Sequence, residues 1–434
     1  MPMSTVPPRE TAAREPAPAA GAPGAGRARS RALLLAPCLV AVLFSLLQVA
    51  GYSGMNYSND SYRYARGALQ ILGHSRADAQ AESVKAYCAN RTARGQQTLD
   101  LDPATYGRPS QRQEQYQACV QQLPNGLSPS SPRFDRIFDT RPGYPLVVAP
   151  AVALLGVLPG MWVTNLLITL AGSLLALFLL RAIGASPAAA LGGQIFYLAS
   201  PITYWSMRPL SEGLVSVCAL GAVLGAWWVV NGRLRAGVAT LVGSFAVLSL
   251  TKYSTAMMLA AGFTAAGLAL IVLHRRRSRN VLLFAVISLG VTAANAAAIA
   301  LWSLPGTAET LQDTFTDHFD GPAVSDPWHR LLELNLRYWP HWVVTQALNP
   351  LFLACTALAG WALVRRTAPV VGWLCLAMTL VGLASAAAHP VASEVERLWL
   401  LAWIPPVLGT VLWVDGLRRT AKEPPTAAVS PTAG

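Results

Sequence analysis

The sequence has little charge for its length. Only 12% of its 434 residues are Asp, Glu, Lys or Arg, and 53% are hydrophobic, whereas soluble domains carry about 25% charged residues. This balance excludes an ordinary soluble protein, although the length alone would suggest three domains at roughly 150 residues each. The chain instead has enough apolar sequence for about ten membrane spans of roughly 20 residues.

Several motifs of nucleotide and redox chemistry are also missing. The sequence contains no Walker loop, no glycine-rich dinucleotide turn and no Cys-x-x-Cys pair, so nothing indicates nucleotide-driven chemistry. Lysine is scarce, with three residues against thirty arginines. The net charge of +12 is compatible with nucleic acid, anionic lipid or membrane topology, and only the positions of the charges decide among them.

Ten apolar runs predict an all-α polytopic membrane protein with about ten transmembrane helices. They lie at residues 32–50, 161–180, 187–205, 211–230, 236–251, 254–273, 281–303, 342–363, 369–388 and 398–414. Basic clusters fall at alternating turns between the runs, as the positive-inside rule requires when both termini are cytoplasmic. We therefore predict a multi-pass plasma-membrane protein whose basic residues orient it in the lipid, with no nucleic-acid partner.

The membrane domain is predicted over residues 31–416. Residues 1–30, rich in Pro, Ala, Gly and Arg, predict a disordered cytoplasmic tail, and residues 417–434 predict a second one. Two large loops are expected outside the cell, at residues 51–142 and 304–340. Because 17 of the 21 acidic residues fall on this predicted outer side, the polar chemistry is expected there.

Two apolar runs have a second interpretation. Residues 32–50 follow three arginines, so a cleaved signal peptide is the alternative to an uncleaved anchor, and the many later spans favour the anchor. Residues 143–158 are apolar but too short for a span and contain two prolines. We interpret them as an interfacial or re-entrant helix.

Cys88 and Cys119 lie in the first large loop, which is polar and predicted to face outside. Disulfides persist in such oxidising surroundings. We predict that these two cysteines form a disulfide, and two unpaired thiols are the alternative.

Acidic residues at the predicted outer membrane boundary are candidate site residues, because a carboxylate there is costly unless it is solvated, paired or functional. Asp60 follows the first span and is suited to act as a general base. The alternative is that it caps a helix over residues 61–72 with Tyr62, Ala65 and Leu69 buried. Glu212 is the only acid between two long apolar runs. Its alternative role is to complement the helix dipole behind an N-cap at Ser211.

Other charged residues at this boundary are candidates for binding. Asp139 and Arg141, at the end of the first loop, either line a site or form a solvated ion pair. Lys252, predicted at the outer tip of a tight hairpin, and Arg397, before the last span, either hold a lipid phosphate or anchor their helices.

A metal site is a weaker candidate. Asp317, His318 and Asp320 in the second loop contain metal-binding side chains, but neither helical spacing nor a clear ligand pattern supports a site. We therefore predict no cofactor, with a divalent cation as the alternative.

Several segments taken together resemble one family. A cytoplasmic start and one span precede a long external loop that opens near Asp60 and closes on Thr140-Arg141-Pro142-Gly143-Tyr144-Pro145-Leu146. Ser200-Pro201 through Ser211-Glu212, then Glu396-Arg397 and Pro405-Pro406, follow in order. This order resembles the C-type (GT-C fold) integral-membrane glycosyltransferases, in the branch related to protein O-mannosyltransferases and the aminoarabinose transferases of lipid A.

The resemblance implies a sugar transferase with a polyprenyl-phosphate donor and a hydroxyl acceptor on a cell-envelope glycan, lipid or protein, reacting at the outer face with inversion. It implies Asp60 as the general base and Arg397, with Lys252, as the group that holds the departing phosphate. It implies that Glu212 and Asp139 position acceptor or sugar. A polytopic transporter or lipid flippase is the main alternative, and a non-catalytic envelope assembly factor is another.

Overall fold

The computed structural model describes residues 23–52, 55–128, 131–391 and 395–420. Its helices are α1 (Pro23–Ala50), α2 (Asn59–Ile71), α3 (Arg76–Leu101), α4 (Arg112–Gln122), α5 (Pro132–Asp139), α6 (Gly143–Leu155), α7 (Val157–Ala182), α8 (Pro187–Ala199), α9 (Pro201–Ser206), α10 (Glu212–Val230), α11 (Leu234–Val272), α12 (Arg279–Leu301), α13 (Thr307–Phe315), α14 (Pro327–Leu348), α15 (Leu351–Arg366), α16 (Pro369–Ala388), α17 (Val395–Leu398) and α18 (Ile404–Thr420), with a 3-10 helix at Leu400–Trp403. No strand occurs in these ranges, which confirms the prediction of an all-α protein.

The two predicted tails fall largely outside the described part of the chain. Residues 1–22 and 421–434 lie outside the described ranges, so their predicted disorder stays a prediction. Residues 23–30, also assigned to the first tail, are helical and form the start of α1.

Among the described residues, six segments are long and apolar enough to cross a membrane: α7, α10, α11, α12, α16 and Leu400–Arg419. The helices α14 and α15 are bent by 88° relative to each other and form a seventh if they count as one broken span. These lengths and compositions are consistent with a polytopic membrane protein. They are fewer than the predicted ten spans, so that number is not confirmed and stays a prediction.

Local breaks in the helices account for part of this difference. The predicted span at 187–205 is divided between α8 and α9 at Ser200-Pro201. Ser200 caps α9, because its hydroxyl accepts a hydrogen bond from the Ile202 amide, and Pro201 cannot continue the hydrogen-bond ladder of α8. The predicted span at 342–363 likewise crosses the sharp bend between α14 and α15.

The helix α11 contains the predicted hairpin. Lys252 is its one residue with non-helical backbone angles (φ −151°, ψ 82°). The rings of Phe245 and Phe263 lie 5.7 Å apart, whereas a straight helix would separate residues 18 positions apart by about 27 Å. The two arms of α11 therefore run antiparallel, and the prediction that Lys252 lies at a hairpin tip is confirmed.

Glycines hold α10 against the first arm of α11. A Cβ atom at Gly225 would lie 2.5 Å from the backbone nitrogen of Leu241, and one at Gly237 would lie 2.6 Å from that of Val229. Larger residues at these positions would force the two helices apart. Because the helices are antiparallel, this close contact brings the start of α10 level with Lys252.

The helix α6 packs close to the tip of this hairpin. A Cβ atom at Gly143 would lie 2.7 Å from the backbone nitrogen of Thr251, so the absence of a side chain permits the contact. With 13 residues, α6 is shorter than a membrane span. It turns into α7 at Gly156, whose φ of +81° favours glycine.

The first loop is a helical layer formed by α2 to α5. Asp135 on α5 is buried and lies 3.0 Å from Arg66 on α2 and 2.7 Å from Arg76 on α3. Arg63 on α2 completes this ion-pair group at 3.5 Å and stacks over Phe134, 4.3 Å from its ring centre. The start and the end of the loop are therefore joined by buried charges.

A disulfide links Cys88 on α3 to Cys119 on α4, as the sequence predicts. It closes a loop with a sequence separation of 31. In the chain-entropy account, such a cross-link stabilises the fold by about 3–4 kcal/mol.

Replacing both cysteines of this disulfide by serine should lower the thermal unfolding temperature of the purified protein in detergent. The same measurement on Cys38→Ser, which removes an exposed free thiol, should show little change. Equal unfolding temperatures for wild type and the Cys88/Cys119 double variant would contradict the stabilising role.

Candidate functional site

Four charged side chains from distant parts of the sequence meet at the end of the helix bundle that carries the first loop. Arg397 Nη1 lies 2.8 Å from Asp60 Oδ2, and its Nε lies 3.2 Å from Glu212 Oε1. Lys252 Nζ donates a hydrogen bond of 2.8 Å to the same Glu212 oxygen. We call these four residues the four-charge cluster. With two acids and two bases, its formal charges cancel.

Asp60 does not cap its helix, so its carboxylate is free to take part in the four-charge cluster. The N-cap of α2 is Ser58, which forms a capping box with Ser61. Asp60 lies in the first turn, and its carboxylate pairs with Arg397. The interpretation of Asp60 as the cap is therefore wrong. The buried face predicted for this helix is confirmed at Tyr62, Ala65 and Leu69.

Glu212 is the most enclosed member of the cluster, with only 4% of its surface exposed. Ser211 occupies the predicted N-cap position of α10 but makes no capping hydrogen bond. Its hydroxyl instead lies 3.1 Å from that of Tyr64. Both cations of the cluster approach Glu212 Oε1, whereas the buried Oε2 has no hydrogen-bond partner among the described residues. Oε2 therefore retains unused acceptor capacity inside the cluster.

Aromatic and cationic side chains surround Glu212. Burial raises the pKa of the Tyr64 hydroxyl, and the charges of Glu212 and Asp60 raise it further, so this hydroxyl is a neutral hydrogen-bond donor or acceptor. The Arg141 guanidinium lies 5.7 Å from the centre of the Tyr253 ring, next to the hairpin tip. Its Nε is buried without a hydrogen-bond partner in the part of the chain that the structure describes.

Asp139 belongs to a different group of charges. It lies 3.6 Å from Arg66 and 3.7 Å from Arg76, beside the buried Asp135. The structure thus brings together Asp60, Glu212, Lys252 and Arg397, but Asp139 makes its ion pairs in the first-loop layer. A role for Asp139 in substrate binding stays a prediction.

Two histidines lie near the cluster. His389 Nδ1 is 2.6 Å from the Thr314 hydroxyl. Burial is the main cause that lowers the pKa of His389; the charge of Asp313 raises this pKa and the charge of Arg397 lowers it, both by smaller amounts. His318 is hydrogen-bonded to Asp313 at 3.0 Å, which raises its pKa. Both histidines interact electrostatically with Asp60. The sequence analysis gave His389 no role. The only signal in the sequence that pointed to it was its position shortly before Arg397.

The proposed metal ligands do not form a recognisable site. His318 is hydrogen-bonded to Asp313 and not to Asp317 or Asp320. Within residues 23–52, 55–128, 131–391 and 395–420, no three His, Cys, Asp or Glu side chains lie close enough together to hold a metal ion.

Removing the charge of Glu212 should destabilise the protein. Glu212→Gln leaves two cations with only one acid, and breaking a buried ion pair typically costs about 3–5 kcal/mol. The control is Glu309→Gln, which breaks a more exposed pair with Arg133 and should cost at most about 1 kcal/mol. Thermal unfolding in detergent measures both. Equal shifts for the two variants would show that the cluster is not a stabilising core.

The pair of His318 and Asp313 should make the second loop sensitive to pH. Because folding raises the pKa of His318 above its usual 6.5, the pair stabilises the loop fully below that value. The stabilisation is lost as the pH rises through the raised pKa. Hydrogen exchange in residues 307–320, corrected for intrinsic rates, should therefore become faster at high pH. In Asp313→Asn this pH dependence should disappear, and its persistence would contradict the assignment.

Comparison with known proteins gives no family assignment: no family model, curated protein or solved structure matches the chain.

Proposed function

We propose that the protein is a membrane glycosyltransferase. It transfers a sugar from a polyprenyl-phosphate donor to a hydroxyl acceptor, with inversion, at the outer face of the plasma membrane, and both of its termini are cytoplasmic. The observation that carries this proposal is the 2.8 Å contact between Asp60 and Arg397, residues from opposite ends of the membrane domain. In this proposal Asp60 is the base for the acceptor and Arg397 is the cation for the leaving phosphate, and their contact supports that pairing of roles.

The chemistry of sugar transfer uses both groups. The acceptor oxygen attacks the anomeric carbon while the bond from that carbon to the phosphate oxygen breaks, and the bonding electrons leave with the phosphate. The proton of the acceptor hydroxyl passes to the carboxylate of Asp60. The positive charge of Arg397 stabilises the negative charge that develops on the phosphate.

The resting ion pair suggests how the base is activated. While Asp60 is paired with Arg397, one of its carboxylate oxygens is engaged by the guanidinium. A phosphate that attracts Arg397 would weaken this contact and leave the carboxylate open to an acceptor hydroxyl. The base would then be accessible to the acceptor only when the donor is bound.

Glu212 and Lys252 have supporting roles in this proposal. Lys252 holds one oxygen of the Glu212 carboxylate, so that the other, Oε2, can accept a hydrogen bond from a sugar or acceptor hydroxyl. Burial makes such a contact selective, because a ligand without the hydroxyl leaves a buried charged oxygen unsatisfied. Arg141, beside the hairpin tip, is positioned to contact the same ligand.

The distribution of charge favours transfer over transport. The four-charge cluster lies at one end of the bundle, and the candidate spanning segments have at most two charged residues in their apolar windows. A translocation path through the membrane needs polar groups along its depth. A site for chemistry at one surface does not.

Asp60→Asn tests the proposal most simply. Loss of a general base lowers a rate by about 100-fold to 10,000-fold, so transfer of labelled sugar from polyprenyl phosphate to membrane acceptors should fall by that factor at normal protein level. Asp100→Asn, which changes an acid of α3 hydrogen-bonded to Gln96, should retain transfer.

Unchanged sugar transfer by Asp60→Asn would contradict the proposal. Proteoliposomes that move labelled polyprenyl phosphate between leaflets at a rate dependent on Asp60, without sugar transfer, would instead identify a flippase.

A further inference from the structure

A basic cavity of about 290 Å³ lies between the end of α1 and helices α3, α7 and α9. Its lining includes Gln48, Asn56, Arg94, Trp162, Tyr204 and Arg208. Sequence reasoning did not select either arginine, because their proximity depends on the fold.

The two arginines of this cavity are not neutralised by acids. Arg94 donates a hydrogen bond of 2.6 Å to the amide oxygen of Asn56. Arg208 donates one to the Tyr204 hydroxyl and stacks over the rings of Tyr204 and Trp205, with its guanidinium carbon 4.4 Å from each ring centre. Across the described ranges, no carboxylate lies within ion-pair distance of Arg94 or Arg208.

Their surroundings leave this positive charge unbalanced. Partial burial lowers the pKa of Arg208; Tyr204 raises it in part, and the nearby charges of Arg94 and Arg397 lower it further. In the four-charge cluster, by contrast, the acids Asp60 and Glu212 balance both cations. Each guanidinium has five N–H donors, so donors remain in the cavity after the contacts with Asn56 and Tyr204. An anion with several acceptor oxygens fits these properties.

An apolar surface next to the cavity points to a lipid as the source of the anion. The face of α1 that precedes it exposes apolar side chains, among them Leu39, Leu43 and Leu47. Gln48, which lines the cavity, follows directly. A lipid chain lying along α1 would therefore bring its headgroup to the cavity.

We propose that this cavity binds the phosphate headgroup of a lipid, with Arg94 and Arg208 as the residues that bind it. This rests on the proposed function only in taking that lipid to be the polyprenyl-phosphate donor. Since Arg208 is close enough to Arg397 for their charges to interact, the bound phosphate lies next to the four-charge cluster. The contacts that bind the headgroup are thus assigned to Arg94 and Arg208, and Arg397 keeps its proposed role of stabilising the charge that develops on the departing phosphate.

Binding to the full-length protein in detergent, measured by native mass spectrometry, tests this proposal. The probes are undecaprenyl phosphate, undecaprenol and inorganic phosphate. A charged hydrogen bond contributes roughly 1.5–3 kcal/mol, so Arg94→Gln and Arg208→Gln should each weaken binding of undecaprenyl phosphate about tenfold or more. Binding of undecaprenol should not change. Arg91→Gln, an exposed arginine of α3 outside the cavity, should bind all three probes like the wild type.

Two features of these variants separate binding from folding. Arg94 is exposed, so its substitution should leave the fold intact. A further variant, Arg208→Lys, keeps the charge but loses the planar contact with the aromatic rings, and an intermediate affinity for undecaprenyl phosphate supports the proposal.

Three results would overturn it. Wild-type affinity for undecaprenyl phosphate in both glutamine variants would exclude the cavity. Loss of binding only in Arg397→Gln would move the phosphate to the four-charge cluster. Competition by inorganic phosphate at concentrations similar to those of the lipid would show a site for free phosphate.

The proposed function can fail separately from this inference. Asp60→Asn should still bind undecaprenyl phosphate, because Arg94 and Arg208 are unchanged in this variant, and it should lose sugar transfer. If the two arginines determine binding but no sugar transfer is found in the wild type, the lipid-phosphate site stands and the transferase proposal does not.

Discussion

A buried carboxylate in an apolar bundle must be neutralised, and the arrangement around Glu212 depends on this constraint. Glu212 begins α10 with 4% of its surface exposed, where an isolated charge would be strongly unfavourable. Two cations meet this requirement, and they come from the tip of α11 and from α17. The second cation also pairs with Asp60 on α2. One buried acid thus connects four segments, and the proposed catalytic pair is part of the same network.

Close helix packing makes this network geometrically possible. The contacts of Gly225 and Gly237 hold α10 against α11, and Gly143 lets α6 approach the hairpin tip beside Lys252. On the other side, the buried ion pairs of Asp135 fix α2 against α3 and α5. The position of Asp60 is therefore set by the layer of helices in the first loop, and the position of Arg397 is set by the membrane domain. A ligand between them contacts two separately supported parts of the protein.

Part of this structure follows from the sequence, and the rest depends on contacts that a sequence does not reveal. The apolar runs predicted the helices, and the short interruption of these runs near Lys252 predicted its hairpin, because both are local properties of the sequence. The Cys88–Cys119 bond was predictable because only two cysteines lie in the first loop. The number of spans stays a prediction, because breaks such as Ser200-Pro201 divide runs that are continuous and apolar in the sequence. Asp139 and Glu212 are both acids at a predicted boundary, but only the fold decides that Asp139 pairs in the loop layer. Arg94 and Arg208 were missed for the same reason.

The central claim is that Asp60 is a base held by Arg397 until a phosphate binds nearby. The most direct measurement is an experimental structure of the protein in a lipid bilayer with undecaprenyl phosphate bound. The account predicts phosphate oxygens in contact with Arg94 and Arg208, Arg397 turned toward the phosphate, and a longer distance between Arg397 and Asp60 than the present 2.8 Å. A phosphate bound elsewhere, with the ion pair of Asp60 and Arg397 unchanged, would contradict it.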